Sequence, residues 1–191
     1  MRRSLLTLAA SLALAGAQPV AAQDTGKLTD ESRAFARDLA GRLGAELKKE
    51  ISAGGPESAI KVCKSLAPAI AGEISTKTGW RVTRVSLKPR NAMLGTPDGW
   101  EQQVLGSFDD RAAKGEDPEK LEIAEIVIEP QGTYFRYMKA LPVQPLCLNC
   151  HGTGAVSDGV RARLATEYPH DKATGYSVGQ VRGAITIKRP L

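Results

Sequence analysis

The chain has 191 residues, 25% of them charged and 5% aromatic, with a formal net charge of +5. A length of this order buries a substantial core and reads as one domain, because two would leave each half small for its long helices. Positive residues are scattered among acids rather than gathered into a stripe with aromatic partners, which argues against nucleic acid and permits no more than weak association with an acidic partner or a membrane surface.

Arg2 and Arg3 precede an apolar run from Leu5 to Ala17, and Val20-Ala21-Ala22 supplies small residues for cleavage. Residues 1–22 therefore read as a secretory signal peptide cut after Ala22, with Gln23 the first mature residue and the periplasm the destination. An uncleaved N-terminal anchor is the alternative, although the run is short and alanine-rich for a membrane span. Taking 22 residues and two arginines from the chain leaves a single expected domain, 23–191, of 169 residues and charge +3.

Phe35, Leu39, Leu43 and Leu47 form an i, i+4 apolar line that predicts a helix over Asp30 to Ser52, with Asp30 as its N-cap. Gly54 and Gly55 stop it, and Pro56 opens a second helix reaching about Lys77, where a missing N–H does least harm. The two form a helical hairpin. Cys63, Leu66, Ile70 and Ile74 share the buried stripe of the second arm, flanked by Lys61 and Lys64 on other faces.

Arg81 to Leu87 alternates as a strand, and Lys88 to Trp100 is a loop rich in turn residues. A short helix follows over Trp100 to Ala113. Leu121 to Ile128 and Thr133 to Met138 pair as an antiparallel hairpin across Glu129-Pro130-Gln131-Gly132. Ser157 to Tyr168 reads as a short helix, and Val181 to Lys188 as a last strand. Helices followed by antiparallel strands indicate an α+β fold.

Residues 147 to 151 read Cys-Leu-Asn-Cys-His. Two cysteines at this spacing can each add across a haem vinyl group to form a thioether, and the adjoining His151 can reach the iron from the same side of the ring. Export fits that chemistry, since covalent haem attachment in bacteria is completed outside the cytoplasmic membrane. A Cys147 to Cys150 redox disulfide is the alternative, but such sites follow a strand, open a helix and rarely carry the trailing histidine. Zinc is disfavoured because no second pair of ligands completes four. Cys63 is the odd cysteine of the exported chain, and on burial alone it reads as a small hydrophobe of the helix stripe.

Several stretches resemble one family. They are Ala59 to Cys63, Arg84 to Asn91, Pro97 to Glu101, Tyr137 to Lys139, Cys147 to Gly152, Gly175-Tyr176 and Arg182 to Ala184, and they span nearly the whole mature chain. The family comprises exported single-haem c-type proteins with a PAS-like sheet, often known only as a haem-binding domain of unknown function and found alone or as the exported part of signalling proteins. The resemblance implies a PAS-like antiparallel sheet with an N-terminal helical hairpin. It also implies one haem c held through Cys147 and Cys150, with His151 on one face and the Cys63 thiolate on the other. Ala92 departs from the pattern, where the family more often has proline after Arg-Asn.

Met93, Met138 and His170 stand beside Cys63 as candidates for the sixth ligand. Trp100, Phe135 and Tyr137 are candidates to pack on the porphyrin, and Arg90 and Arg182 to pair its propionates by bidentate geometry. A histidine and thiolate pair leaves no open coordination position, so the expected role is single-electron exchange or redox reporting, not catalysis. The alternatives are a nitric oxide, carbon monoxide or redox sensor with a labile distal ligand, and a haem-free thiol oxidoreductase using Cys147 and Cys150. The expected partner is a redox protein or, as no output segment is found, a separate signalling protein. The sequence sets no oligomeric state.

Overall fold

The computed structural model describes residues 25–154 and 156–191; the expected signal peptide and its cleavage site lie outside the described residues. The first helix, α1 (Thr25–Lys61), breaks its helical geometry at Gly54 and Gly55, where Gly55 takes φ 76°, so the chain reverses there and Pro56 starts the second arm. It begins five residues earlier than the sequence predicts, and Asp30 pairs with Arg33 instead of capping. The second arm passes through a π-helical turn (Val62–Leu66) into α2 (Ala67–Thr78), which Gly79 ends in the left-handed conformation. Arg42 to Glu73 and Lys61 to Glu50 tie the arms together.

The π turn has an identifiable cause. Pro68 has no N–H for the Lys64 carbonyl, and its ring would strike that carbonyl in a regular helix. The turn widens, and Ala67 N–H donates to Val62 O, five residues back.

Four antiparallel strands follow in the order β1-β4-β3-β2: β1 (Arg81–Val85), β2 (Glu122–Glu129), β3 (Gly132–Pro142) and β4 (Val181–Pro190). The molecule is thus α+β. β1 stops two residues short of its expected end because Ser86 turns out of the ladder, its N–H donating to Gly95 O and its hydroxyl to Arg182 O. The expected loop after it holds one short helical turn, α3 (Ala92–Gly95), capped by the Asn91 side chain. Then come α4 (Gly99–Ala113), α5 (Leu148–His151) and α6 (Asp158–Glu167). Among the described residues no helix is long and apolar enough to cross a membrane.

Strand alternation divides the core in two. Val82, Phe135, Tyr137, Ile185 and Ile187 face the hairpin, where Leu28, Ala36, Leu39, Ile70 and Ile74 cover them. Val85, Met138, Ala140 and Ala184 face Val104, Leu105 and Phe108 of α4. On the α4 side the packing is locked by a buried ionic cluster. Arg136 donates to Asp98 at 2.7 Å, Glu101 at 3.1 Å and Glu129 at 2.9 Å, and its guanidinium lies 4.4 Å from the Trp100 ring centroid. Asp98 and Glu101 also form the capping box of α4, and Thr186 Oγ1 donates to Glu101. The helix start is thereby bolted to the sheet.

Removing one partner of a buried pair strands the other, at about 3–5 kcal/mol. Arg136→Met, which leaves the fully buried Glu101 carboxylate without its main partner, is expected to lower unfolding free energy by that amount in urea titration.

On the hairpin side Arg33 holds Glu122, which also accepts from Tyr137, and these contacts keep the Glu122 carboxyl below its ordinary value of 4.5. For Asp98 burial acts in the opposite sense, but Arg136 and the Glu101 N–H outweigh it and hold the group below 3.8. Carboxylates with depressed native pKa values stabilise fully above their unfolded values, and that contribution is lost as pH falls through the native ones. The urea midpoint is expected to drop on acidification below about pH 4, and to drop less in Arg33→Gln, which no longer depresses Glu122.

Candidate functional site

The Cys-Leu-Asn-Cys-His segment follows β3 as a 3₁₀ turn (Pro145–Cys147) running into α5. Helical spacing puts Cys147, Cys150 and His151 at i, i+3 and i+4, on one face. That face borders a cavity of about 470 Å³ between the hairpin and the turn, within the range of small-molecule and cofactor sites. Its apolar lining comes from Leu39, Leu43, Leu47, Ile60, Leu141 and Ile185, and Cys63 lies in the same wall. A second cavity of about 310 Å³ extends toward α2 and α3. The two share Cys63, Arg84, Arg90, Leu141, His151, Tyr168 and Arg182.

His151 is held from outside its own turn. Its Nδ1 is 2.6 Å from Ala173 O, its carbonyl accepts from Tyr176 N–H, and the Tyr176 ring meets its imidazole edge-on. Arg182 Nε lies 3.2 Å from the same Nδ1, but one nitrogen cannot donate to a carbonyl and accept from an arginine at once. The shorter contact decides: a lone pair facing Ala173 O at that distance would be repelled, so Nδ1 carries the proton and Arg182 stands beside it as a charge. Nε2 is then the nitrogen with the free lone pair. Burial first, then Arg182 and Arg90, keep the imidazole pKa well below its ordinary value, so the ring is neutral at physiological pH. The ring is thus held in one tautomer and one orientation.

Arg90 is 8% exposed and clamps the turn. It donates to Cys150 O at 2.6 Å, Ala173 O at 3.3 Å and the Asp171 carboxylate at 3.0 Å. Arg182 donates to Ser86 Oγ and Lys88 O as well as flanking His151. Of the two expected propionate partners, both line the cavities and both already hold backbone or side chains of the protein.

Cys63 sits inside the π turn, so the widening caused by Pro68 sets where its sulfur stands. Cys63, Cys147 and Cys150 are free thiols. Burial raises the Cys150 pKa, with Arg90 only partly opposing it, which is the reverse of what a nucleophilic thiolate needs.

The remaining expected site residues are not brought here. Trp100 packs on the α4 face, its indole N–H donating to Glu125 and its ring covering Arg136. Phe135 and Tyr137 are fully buried under the hairpin and line neither cavity. Met93 is 95% exposed, Met138 is buried against α4, and His170 is exposed. Of the four sixth-ligand candidates only Cys63 shares a cavity with His151.

Sequence reasoning missed Arg84 and Tyr168. Arg84 occupies the inward face of β1 with Val82, opposite Ile185, and a charge at an inward strand position was the available signal. Tyr168, at the end of α6, packs with Ile60 and Val160, and burial pushes its pKa up to about 12.

The donor set fits a porphyrin iron and not a bare ion. Among the described residues no three His, Cys, Asp or Glu side chains converge as a metal cage requires. An apolar slot between one imidazole and one thiol, with two further thiols at its rim, suits a flat apolar ring.

A model of the Tll0287-like family matches residues 15–190. The chain belongs to this family. Among solved structures it is similar to the cyanobacterial heme-protein Tll0287, at 27% identity and a TM-score of 0.61, over 86% of this chain and 93% of that one. No curated protein matches. In this member of the Tll0287-like family, the short turn bearing His151 depends on Arg90. Arg90→Leu is expected to cost about 2 kcal/mol or more, by leaving Asp171 and the Cys150 carbonyl without their partner. Native-state hydrogen exchange should register it as faster exchange at the Gly152 and Tyr176 amides, which close this region.

Proposed function

We propose that this protein binds one haem in the larger cavity and exchanges single electrons, or reports redox state, outside the cytoplasm. The observation that carries the reading is the meeting of His151, Cys63, Cys147 and Cys150 on one apolar cavity. Membership of the Tll0287-like family, and the likeness to a protein described as a heme-protein, support it.

In this reading Cys147 and Cys150 are the residues that would hold the haem covalently through their sulfurs, an addition that would need no oxidant. His151 would hold the iron through Nε2, its tautomer set by Ala173 O. Cys63 would be the second residue to hold it, and an anionic sulfur would favour the ferric state and a low reduction potential. Bound haem would supply a one-electron couple. The chain's own part is to keep that couple dry under Leu39, Leu43 and Ile185 and to hold both ligands. The antiparallel order β1-β4-β3-β2 under a helical hairpin is read as a PAS-like scaffold, export as periplasmic, and the partner as a redox or signalling protein.

A second reading, a sensor whose Cys63 leaves the iron, draws on the π turn that carries Cys63, because such turns occur frequently at functional sites. The thiol oxidoreductase reading is disfavoured by a helix of only four residues after Cys147.

Intact-mass measurement of the exported product, made alongside a cytochrome maturation system, is expected to give the polypeptide plus one haem. Bare polypeptide would sink the reading. Cys63→Ala should abolish the low-spin ferric signal of the wild type in electron paramagnetic resonance, and an unchanged signal would remove Cys63 from the iron. Carbon monoxide added to the reduced wild type separates the roles, with fast binding expected of a sensor and none of a carrier.

A further inference from the structure

The wall between the two cavities carries more positive charge than the protein itself neutralises. Arg84, Arg90 and Arg182 all line both cavities. Asp171 neutralises Arg90, while Arg182 finds only neutral acceptors, Ser86 Oγ and Lys88 O. The Arg84 side chain makes no hydrogen bond or ion pair among the described residues; burial lowers its pKa, and the groups that act against this are the Cys63 thiol and Tyr168. Strand register turns this guanidinium inward, opposite Ile185, where it is half-buried, faces both cavities and has no ionic partner to neutralise it. The five donors of arginine match a carboxylate in particular.

We infer that Arg84 forms a carboxylate-binding subsite in the wall between the two cavities, beside Cys63. The carboxylate has two sources, a propionate of the proposed haem or a free small carboxylate entering from the smaller cavity. The first source rests on the haem reading above; the second does not. Arg84 acts as a positioning residue, fixing the carboxylate end of whatever occupies the cavity.

The test compares wild type with Arg84→Gln and Arg84→Lys, each prepared as the exported full chain. If a propionate is the partner, Arg84→Gln shifts the propionate bending modes in resonance Raman spectra and gives the reduction potential a new pH-dependent segment, and Arg84→Lys restores part of both. If a free carboxylate is the partner, those modes are unmoved, and calorimetric titration with acetate finds binding in wild type that falls about tenfold or more in Arg84→Gln. Modes, potential and acetate binding all unchanged in Arg84→Gln overturn the proposal. Should neither variant accumulate, the wild type decides alone. Propionate modes that shift in deuterated buffer, or acetate binding, support the subsite, and the absence of both overturns it. Intact mass, read on every sample, reports separately whether haem is attached, so a colourless wild type that still binds acetate through Arg84 would sink the haem reading and keep the subsite.

Discussion

The clamp from Arg90 onto the Cys150 carbonyl is the contact on which the site depends. A helix of four residues cannot hold its own shape, since forming one turn fixes several dihedrals for one hydrogen bond. The geometry of Cys147, Cys150 and His151 must therefore come from elsewhere in the chain. Arg90 supplies it from the loop after β1, Asp171 orients Arg90, and residues 173–176 receive both His151 and Gly152. Glycine is needed at 152, where a Cβ would lie 2.8 Å from Leu148 O. The site is thus assembled from three separate stretches, each too weak alone to define it.

The hairpin solves the complementary problem of presenting a thiol opposite that turn. A regular helix through 56–78 would direct Cys63 by its 3.6-residue period, but Pro68 forces a wider turn and rotates what precedes it. Lys64 to Glu167 and the packing of Ile60 against Val160 and Leu164 then bind this segment to α6. Placement of His151 and of Cys63 is consequently tied to the same C-terminal segment, 156–176, which gives the two side chains a common frame.

Much of this was legible in the sequence. The glycine pair and Pro56 marked the reversal of the hairpin, the alternation of Val181, Gly183, Ile185 and Ile187 marked the last strand, and Cys-Leu-Asn-Cys-His marked the candidate site. What alternation could not tell was which helix covers which face. Trp100 was for that reason read as a neighbour of the porphyrin, although Pro97 to Glu101 serves as the capping box and ionic bolt of α4 on the other side. Met138 was lost to the same ambiguity. Arg84 was missed because a strand argument collects apolar positions and passes over the charge among them, and the π turn because proline in a helix signals distortion without its direction.

The sheet's two faces show opposite solutions to burying charge. Against α4, Arg136 is surrounded by Asp98, Glu101 and Glu129, so its desolvation is offset inside the protein and the face is rigid and closed. Against the hairpin, Arg84 has no such ring of acids, and the protein leaves space next to it. A closed cluster stabilises the fold whatever is bound; an open one makes stability depend on occupancy, because a ligand that meets the charge binds the folded chain and not the unfolded one. The cost left standing on one face is therefore a measure of how strongly the folded state is coupled to its ligand, and the bolted α4 face is what allows the chain to carry that cost before the ligand arrives.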